Sequence, residues 1–279
     1  MKYRQTEGQK GVLYMVIDIH THIFADALAP RAKQALIDGA HGEYMPLHDM
    51  TKDALIEFMD KSGVDISVVQ PIVTKRAQFE KVNDWALSVT DDRIISFGSI
   101  WPHTDDWKEQ IDTIAKMGFK GIKFHCEYQD FGVDEPRMLP IYDRAFDKGL
   151  ITLFHAGYDP AYPAPFRSSP EQFANIAKEL RGGTIIVAHL GGCKQWERVA
   201  ECYSGHDEIY IDTSMGFEYY PHETFLEIVK AIGPDHVLFG SDSPWSDTGK
   251  EIGILKTLPL SDEDKELILC GNARKLLGI

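Results

Sequence analysis

The stretch VIDIHTHIF, from Val16 to Phe24, opens on aliphatic residues and closes on two imidazoles two positions apart. Val16-Ile17-Asp18-Ile19 is short and β-branched, which reads as a buried strand. Alternate residues of a strand point to one face, so His20 and His22 project together from its C-terminal end. Two neutral imidazoles converging in this way suit a borderline metal such as zinc. Two ordinary hydrogen-bonded histidines near a strand end are the alternative.

The same grammar recurs along the chain. VDISVVQP (Val64–Pro71), RIISFGSI (Arg93–Ile100), GIKFH (Gly121–His125), LITLFH (Leu150–His155), TIIVAHL (Thr184–Leu190), EIYIDTS (Glu208–Ser214) and HVLFGSD (His236–Asp242) each read as a short strand. Amphipathic segments of helical length separate them. TKDALIEFMDKSG runs from a threonine N-cap to a glycine C-cap, and DDWKEQIDTIAKMG and PEQFANIAKELRGG follow suit. PHETFLEIVKAIG carries a proline in its first turn, and SDEDKELILCGNARKLLGI reads as a C-terminal helix. Eight strand–helix alternations in about 250 residues predict a single-domain (β/α)8 barrel over 16–279, after an N-terminal extension of 1–15. A doubly wound open sheet is the structural alternative. It predicts no clustering of polar residues at all the strand ends.

Composition narrows the function. The 279 residues carry a formal net charge of -14, which disfavours a nucleic-acid substrate. No apolar run approaches membrane-spanning length. The first fifteen residues contain no signal-peptide apolar core. Cys126, Cys193, Cys202 and Cys270 show no CxxC spacing and read as reduced thiols. The expectation is a cytoplasmic protein acting on a small molecule, with homo-oligomerisation left open.

Polar residues concentrate where a barrel keeps its chemistry. Of 11 histidines, His20, His22, His125, His155 and His189 end predicted strands, as do Asp212 and Asp242. In a parallel barrel those ends share one face. His20 and His22 from the first strand, His155 from the fifth and Asp242 from the eighth supply three nitrogens and one oxygen. With an open position for water, that is a catalytic metal set, and the bound water becomes acidic near neutral pH.

The motifs DIHTHIF, LFHAG, VAHLGG and LFGSDSPW, in this order on eight βα units, resemble the amidohydrolase superfamily of metal-dependent (β/α)8 enzymes. AHLGG and GSDSPW are most similar to the branch containing aminocarboxymuconate semialdehyde decarboxylase and its hydrolase relatives. The resemblance covers Val16 to about Leu277. It implies that His20, His22, His155 and Asp242 ligate the metal, and that His189 activates the attacking water or binds a second metal. No segment for the flanking β-sandwich of ureases and cyclic-amide hydrolases is visible.

Strand four leaves alternatives. In GIKFHCEYQDF, Lys123, His125 and Glu127 share one parity. Some relatives place a carboxylated lysine or a glutamate here as a bridge between two metals, which makes Glu127 and His189 the second-metal candidates. The preferred reading is that Lys123 pairs with an acid in the barrel layer, His125 lines the pocket and one zinc or other divalent ion binds per chain. The first βα loop, from about Phe24 to Met50, and the fifth, AGYDPAYPAPFRSS with Arg167, are the expected lids. Trp101, Tyr128, Phe131, Tyr158 and Trp245 follow strands closely and could wall an unsaturated or aromatic substrate, or simply pack loop against barrel. Hydrolysis of an amide, ester or lactone by metal-activated water, with His189 or Asp242 moving the proton, is the first expectation. Non-oxidative decarboxylation on the same scaffold is the alternative, and a non-catalytic metal-stabilised binding protein is the third.

Overall fold

The computed structural model describes residues 15–180 and 182–279. Most of the expected N-terminal extension therefore lies outside the described residues. Eight short parallel strands form among the described residues, β1 (Ile17–Thr21), β2 (Ile66–Val69), β3 (Ile94–Ser96), β4 (Gly121–Phe124), β5 (Ile151–Phe154), β6 (Ile185–Val187), β7 (Ile209–Asp212) and β8 (Val237–Leu238). β1–β3 form one run of paired strands and β4–β8 another. Two seams join them. Gly98 bridges to Ile122, and Thr21 bridges to Ser243, with Ile19 N donating to Phe239 O and Asp242 N to His20 O, both at 2.9 Å. The sheet is thereby closed into the expected (β/α)8 barrel.

Strand parity divides the apolar residues into two layers. Ile122, Phe124, Phe154, Ile185, Val187, Ile209 and Ile211 pack with residues of the surrounding helices. Ile17, Ile19, Ile66, Val68, Leu153, Ile186 and Leu238 instead pack on one another and on Cys270, Ala273 and Leu277 near the C-terminus. That second layer fills the barrel, as side chains of inward parity do in this architecture.

The helices show why local signals were readable. α1 (Ala29–Gly39) occupies much of the segment expected to be a plain first loop. α2 (Lys52–Ser62) has Thr51 Oγ1 accepting from Ala54 N and ends at left-handed Gly63, both as expected. α3 (Phe79–Val89), α4 (Trp107–Met117) and α5 (Leu139–Asp147) follow. α6 (Pro170–Glu179) begins with a full capping box between Ser169 and Gln172, which satisfies two otherwise orphaned N–H groups. α7 (Trp196–Tyr203) precedes α8 (His222–Ile232), whose Pro221 is the N-cap rather than part of the first turn. The C-terminal region is α9 (Thr248–Thr257), α10 (Asp262–Glu266) and α11 (Asn272–Leu277), the last two joined by a π-helical turn.

Glu251 on α9 anchors the turn after β7. One of its oxygens accepts from Phe217 N at 2.6 Å, and a Cβ on Gly216 (φ +37°) would lie 2.1 Å from the other. Burial pushes this carboxyl up from 4.5 to about 7. Its folded-state value exceeds the unfolded one, so the stability it contributes is full below about pH 4.5 and is lost as pH rises through about 7. The shift corresponds to a pH-dependent loss on the order of 3 kcal/mol. Glu251→Gln keeps an acceptor and removes the titration. Urea unfolding from pH 5 to 8 should show a flatter profile for this variant than for the parent, and equal slopes would clear Glu251.

Candidate metal centre and active site

The C-terminal ends of β1, β4, β5, β6, β7 and the segment after β8 converge on one buried cluster. β1 carries a register irregularity between Asp18 and Thr21, and His22 lies just beyond its end. Both histidines still turn to the same carboxylate. His22 Nε2 is 3.0 Å and His20 Nε2 3.5 Å from Asp242 Oδ1. His20, His22 and Asp242 thus form one group able to hold a metal, and His125, His155 and Asp159 form a second. The expected fourth ligand, His155, belongs to the second group. The imidazoles run as a continuous row, with ring centroids 5.1 Å apart for His20–His22, 5.3 Å for His20–His189, 4.6 Å for His189–His155 and 4.2 Å for His155–His125.

Asp212 organises the row. Its Oδ2 is 2.9 Å from His20 Nδ1. Its Oδ1 accepts from His189 N (3.0 Å), Ser214 N (3.0 Å) and Ser214 Oγ (2.5 Å). An ionised carboxylate only accepts, and this network assigns the tautomers around it. His20 keeps its proton on Nδ1 and presents a lone pair at Nε2. Ser214 gives its proton to Asp212, so its oxygen accepts from His189 Nδ1 at 2.9 Å. His189 Nε2 then accepts from His155 Nδ1 at 2.8 Å. That leaves a lone pair on His155 Nε2, which is buried without a hydrogen-bond partner among the described residues. Burial lowers the basicity of His20, His125, His155 and His189 well below that of free imidazole. Neutral imidazoles beside a buried carboxylate are the donor set a divalent metal requires. The residues fit such an ion.

Lys123 is the discordant neighbour. It is fully buried, and burial holds its ammonium down to about 8 against the opposing pull of Asp242 and Asp212. No carboxylate lies within ion-pair distance of it among the described residues. Its Nζ is instead 3.0 Å from His20 Nε2. The expected pairing of Lys123 with an acid is replaced by this contact.

The remaining candidates separate. β4 ends at Phe124, so Glu127 sits in the following turn and joins neither metal group. It accepts from Arg167 N at 2.8 Å and pairs with Arg167 Nε at 3.3 Å. Arg167 Nη2 also reaches Asp130 at 2.8 Å, so this guanidinium is already engaged. Tyr128 stacks on His125 at 3.9 Å and meets Tyr162 at 5.5 Å. Trp245 packs beside Ala40, Tyr44 and Met215. Phe131 is wholly buried in the helix-facing layer and lines nothing. Above the cluster, Glu43 accepts from Tyr44, Tyr158 and Lys194 at 2.9, 2.5 and 2.9 Å, tying the first, fifth and sixth βα loops together. Asp159 was not foreseen. It lies beyond the end of β5 in the proline-rich loop, where strand-end reasoning does not reach. The roles of Asp212, Ser214 and Asp18 were equally invisible, although Asp18 pins β1 to the GSDSPW segment through Ser241 Oγ at 2.5 Å and Ser241 N at 2.9 Å.

The model of the amidohydrolase family matches residues 17–279. The chain belongs to this family. A search of curated proteins finds no match to this amidohydrolase. Among solved structures, an uncharacterised TIM-barrel protein from Bordetella bronchiseptica is similar at TM-score 0.78 and 19% identity, with 95% of this chain and 98% of the other covered. A 5-carboxyvanillate decarboxylase from Novosphingobium aromaticivorans, complexed with manganese and a nitrated hydroxymethoxybenzoic acid, is similar at TM-score 0.75 and 15% identity, covering 95% and 96%. A 2,6-dihydroxybenzoate decarboxylase from Rhizobium is similar at TM-score 0.71 and 16% identity, covering 95% and 99%. These likenesses bear out the barrel, and membership of the family makes this amidohydrolase an enzyme. Among the described residues no helix is long and apolar enough to cross a membrane.

Proposed function

We propose that this enzyme releases carbon dioxide, without oxidation, from an aromatic or otherwise unsaturated carboxylic acid. The observation that carries the proposal is the hydrogen-bond chain from Asp212. It engages both ring nitrogens of His189, so the expected imidazole base for an attacking water has no lone pair to spare. Hydrolysis, the first expectation from the sequence, lacks its foremost activator in this arrangement. Proton movement falls instead to a carboxyl group, and Asp242 stands beside His22 and His20.

His20, His22 and Asp242 would hold a zinc or manganese ion, and His155, whose Nε2 has no hydrogen-bond partner among the described residues, is the further ligand the sequence suggests. When bound, the ion supplies a Lewis-acid grip on the substrate's oxygens. The rings of Tyr128, Tyr162 and Trp245 offer a wall for a planar acid. As the bond between the ring carbon and its carboxyl group breaks, the electron pair stays on the ring carbon. A proton that the Asp242 carboxylate has first taken from the acid substrate or from solvent is passed to that carbon to complete the new C–H bond, carbon dioxide departs, and Asp242 is left as the carboxylate. The reactions named for the manganese-complexed 5-carboxyvanillate enzyme and the 2,6-dihydroxybenzoate enzyme support this class by analogy of fold.

A panel of hydroxylated benzoic acids and unsaturated acids, run beside amides, esters and lactones, tests the reading. Carbon dioxide release from at least one acid, abolished by a chelator and restored by zinc or manganese, is the expected result. Turnover confined to the amides, esters or lactones, with acid release and no carbon dioxide, would overturn it.

A further inference from the structure

The position of Lys123 has a consequence for how the site takes up its ion. His20 Nδ1 lies 2.9 Å from Asp212 Oδ2, an acceptor, so its proton is on Nδ1 and Nε2 has one lone pair. Lys123 Nζ, 3.0 Å away, donates to that lone pair. A metal ligand needs the same electrons, and an imidazole nitrogen cannot give one pair to an N–H and to a cation at once. Lys123 comes from inside the barrel wall on β4, where it is among the largest fully buried side chains. Its amine therefore meets His20 from within, while His22 and Asp242 meet it from the strand ends.

We infer that Lys123 is a built-in competitor for the divalent ion: its amine takes the His20 Nε2 lone pair and must swing aside before a metal can bind there. This rests on the metal-site reading of His20, His22 and Asp242. The competition weakens the affinity of the site, and it makes metal uptake a coupled event in which Lys123 changes partner. Asp212 and Asp242 are the carboxylates on hand to receive the displaced amine, being the two acids with the strongest pull on Lys123. A lysine serving only as packing would have no such effect, because its removal would leave the ligand atoms as they are.

Lys123→Met retains the length and apolar stem of the side chain while removing the donor. Apo protein, parent and K123M, is titrated with zinc and with manganese against a chromophoric chelator. K123M should bind on the order of tenfold more tightly or better, the equilibrium equivalent of about one hydrogen bond from a charged donor. Its melting temperature should also rise further on metal addition than the parent's does. Equal or weaker affinity in a folded K123M overturns the competition while leaving the metal site standing. Absence of binding in both proteins overturns the metal site itself. Should K123M fail to fold, the parent labelled with ¹³C-lysine answers the question. One buried lysine resonance should shift in proportion to the metal added and saturate at one equivalent, whereas an unmoved spectrum under saturating metal rejects the displacement.

Discussion

Replacing His20 by alanine is expected to strip most of the bound metal and to abolish turnover. The residue is wholly buried, and its Nε2 faces Asp242 while its Nδ1 is fixed by Asp212 at 2.9 Å. Loss of an outer-shell partner of a metal ligand typically costs about 10- to 100-fold in affinity. Loss of the ligand itself should exceed that range. Asp212→Asn is the graded comparison. It leaves His20 in place but weakens the acceptor that sets its tautomer, so its metal affinity should fall within the 10- to 100-fold range. Elemental analysis of both variants, alongside circular dichroism to establish that they are folded, checks the ordering. Parental metal content in folded His20→Ala protein would remove His20 from the ligand set.

The second large effect is expected at Asp242. In the proposed reaction this carboxyl both contacts the metal ligands and delivers the proton to carbon. Asp242→Asn would keep an oxygen 3.0 Å from His22 Nε2, where Asp242 Oδ1 stands now, but its amide could not act as a carboxylic acid. General acid catalysis typically accounts for about 10² to 10⁴ in rate. The variant should therefore lose about that factor in kcat per bound metal, with metal content and turnover measured on the same sample. A fall in kcat that merely tracks metal loss would reduce Asp242 to a ligand. Parental kcat would show that the proton comes from elsewhere, with Asp159 at the second ligand group as the next residue to replace. His189→Asn belongs in the same series. The hydrogen bond from His155 Nδ1 makes His189 a positioning residue for His155, so its loss should lower metal affinity, whereas a general-base role would lower kcat at constant metal.

The strand-end histidines were legible because their signal is local. A β-branched run followed by histidine can be read without knowing any neighbour, and β1, β5 and β6 all lead into their histidine as the pattern implies. Helix α2 was readable to its caps for the same reason, since Thr51 and Gly63 act within one turn of the chain. Glu127 was only a candidate bridge, because parity sets its direction only if β4 runs that far, and the strand stops at Phe124. After Phe124 the chain turns, Gln129 Oε1 accepts from His125 N at 2.9 Å, and alternation no longer sets direction. Asp159 was missed because a proline-rich loop has no period from which a side chain's aim can be inferred.

The sequence by itself determined the barrel, the family and the strand-end histidines and aspartates that its C-terminal face offers. Hydrophobic period and strand order suffice for those, since each strand buries its apolar positions wherever its partner lies. The tertiary structure alone decided which groups meet. It drew His155 into company with His125 and Asp159, made Asp212 the anchor of the imidazole row, gave Glu127 to Arg167 and set Lys123 against His20. Each of these pairings spans tens to hundreds of residues, as His20 and Asp212 do across 192 positions. Their geometry depends on barrel closure at the Gly98–Ile122 and Thr21–Ser243 seams. A contact made across a closed sheet depends on the stagger of every strand between its partners, and no stretch of sequence records that sum.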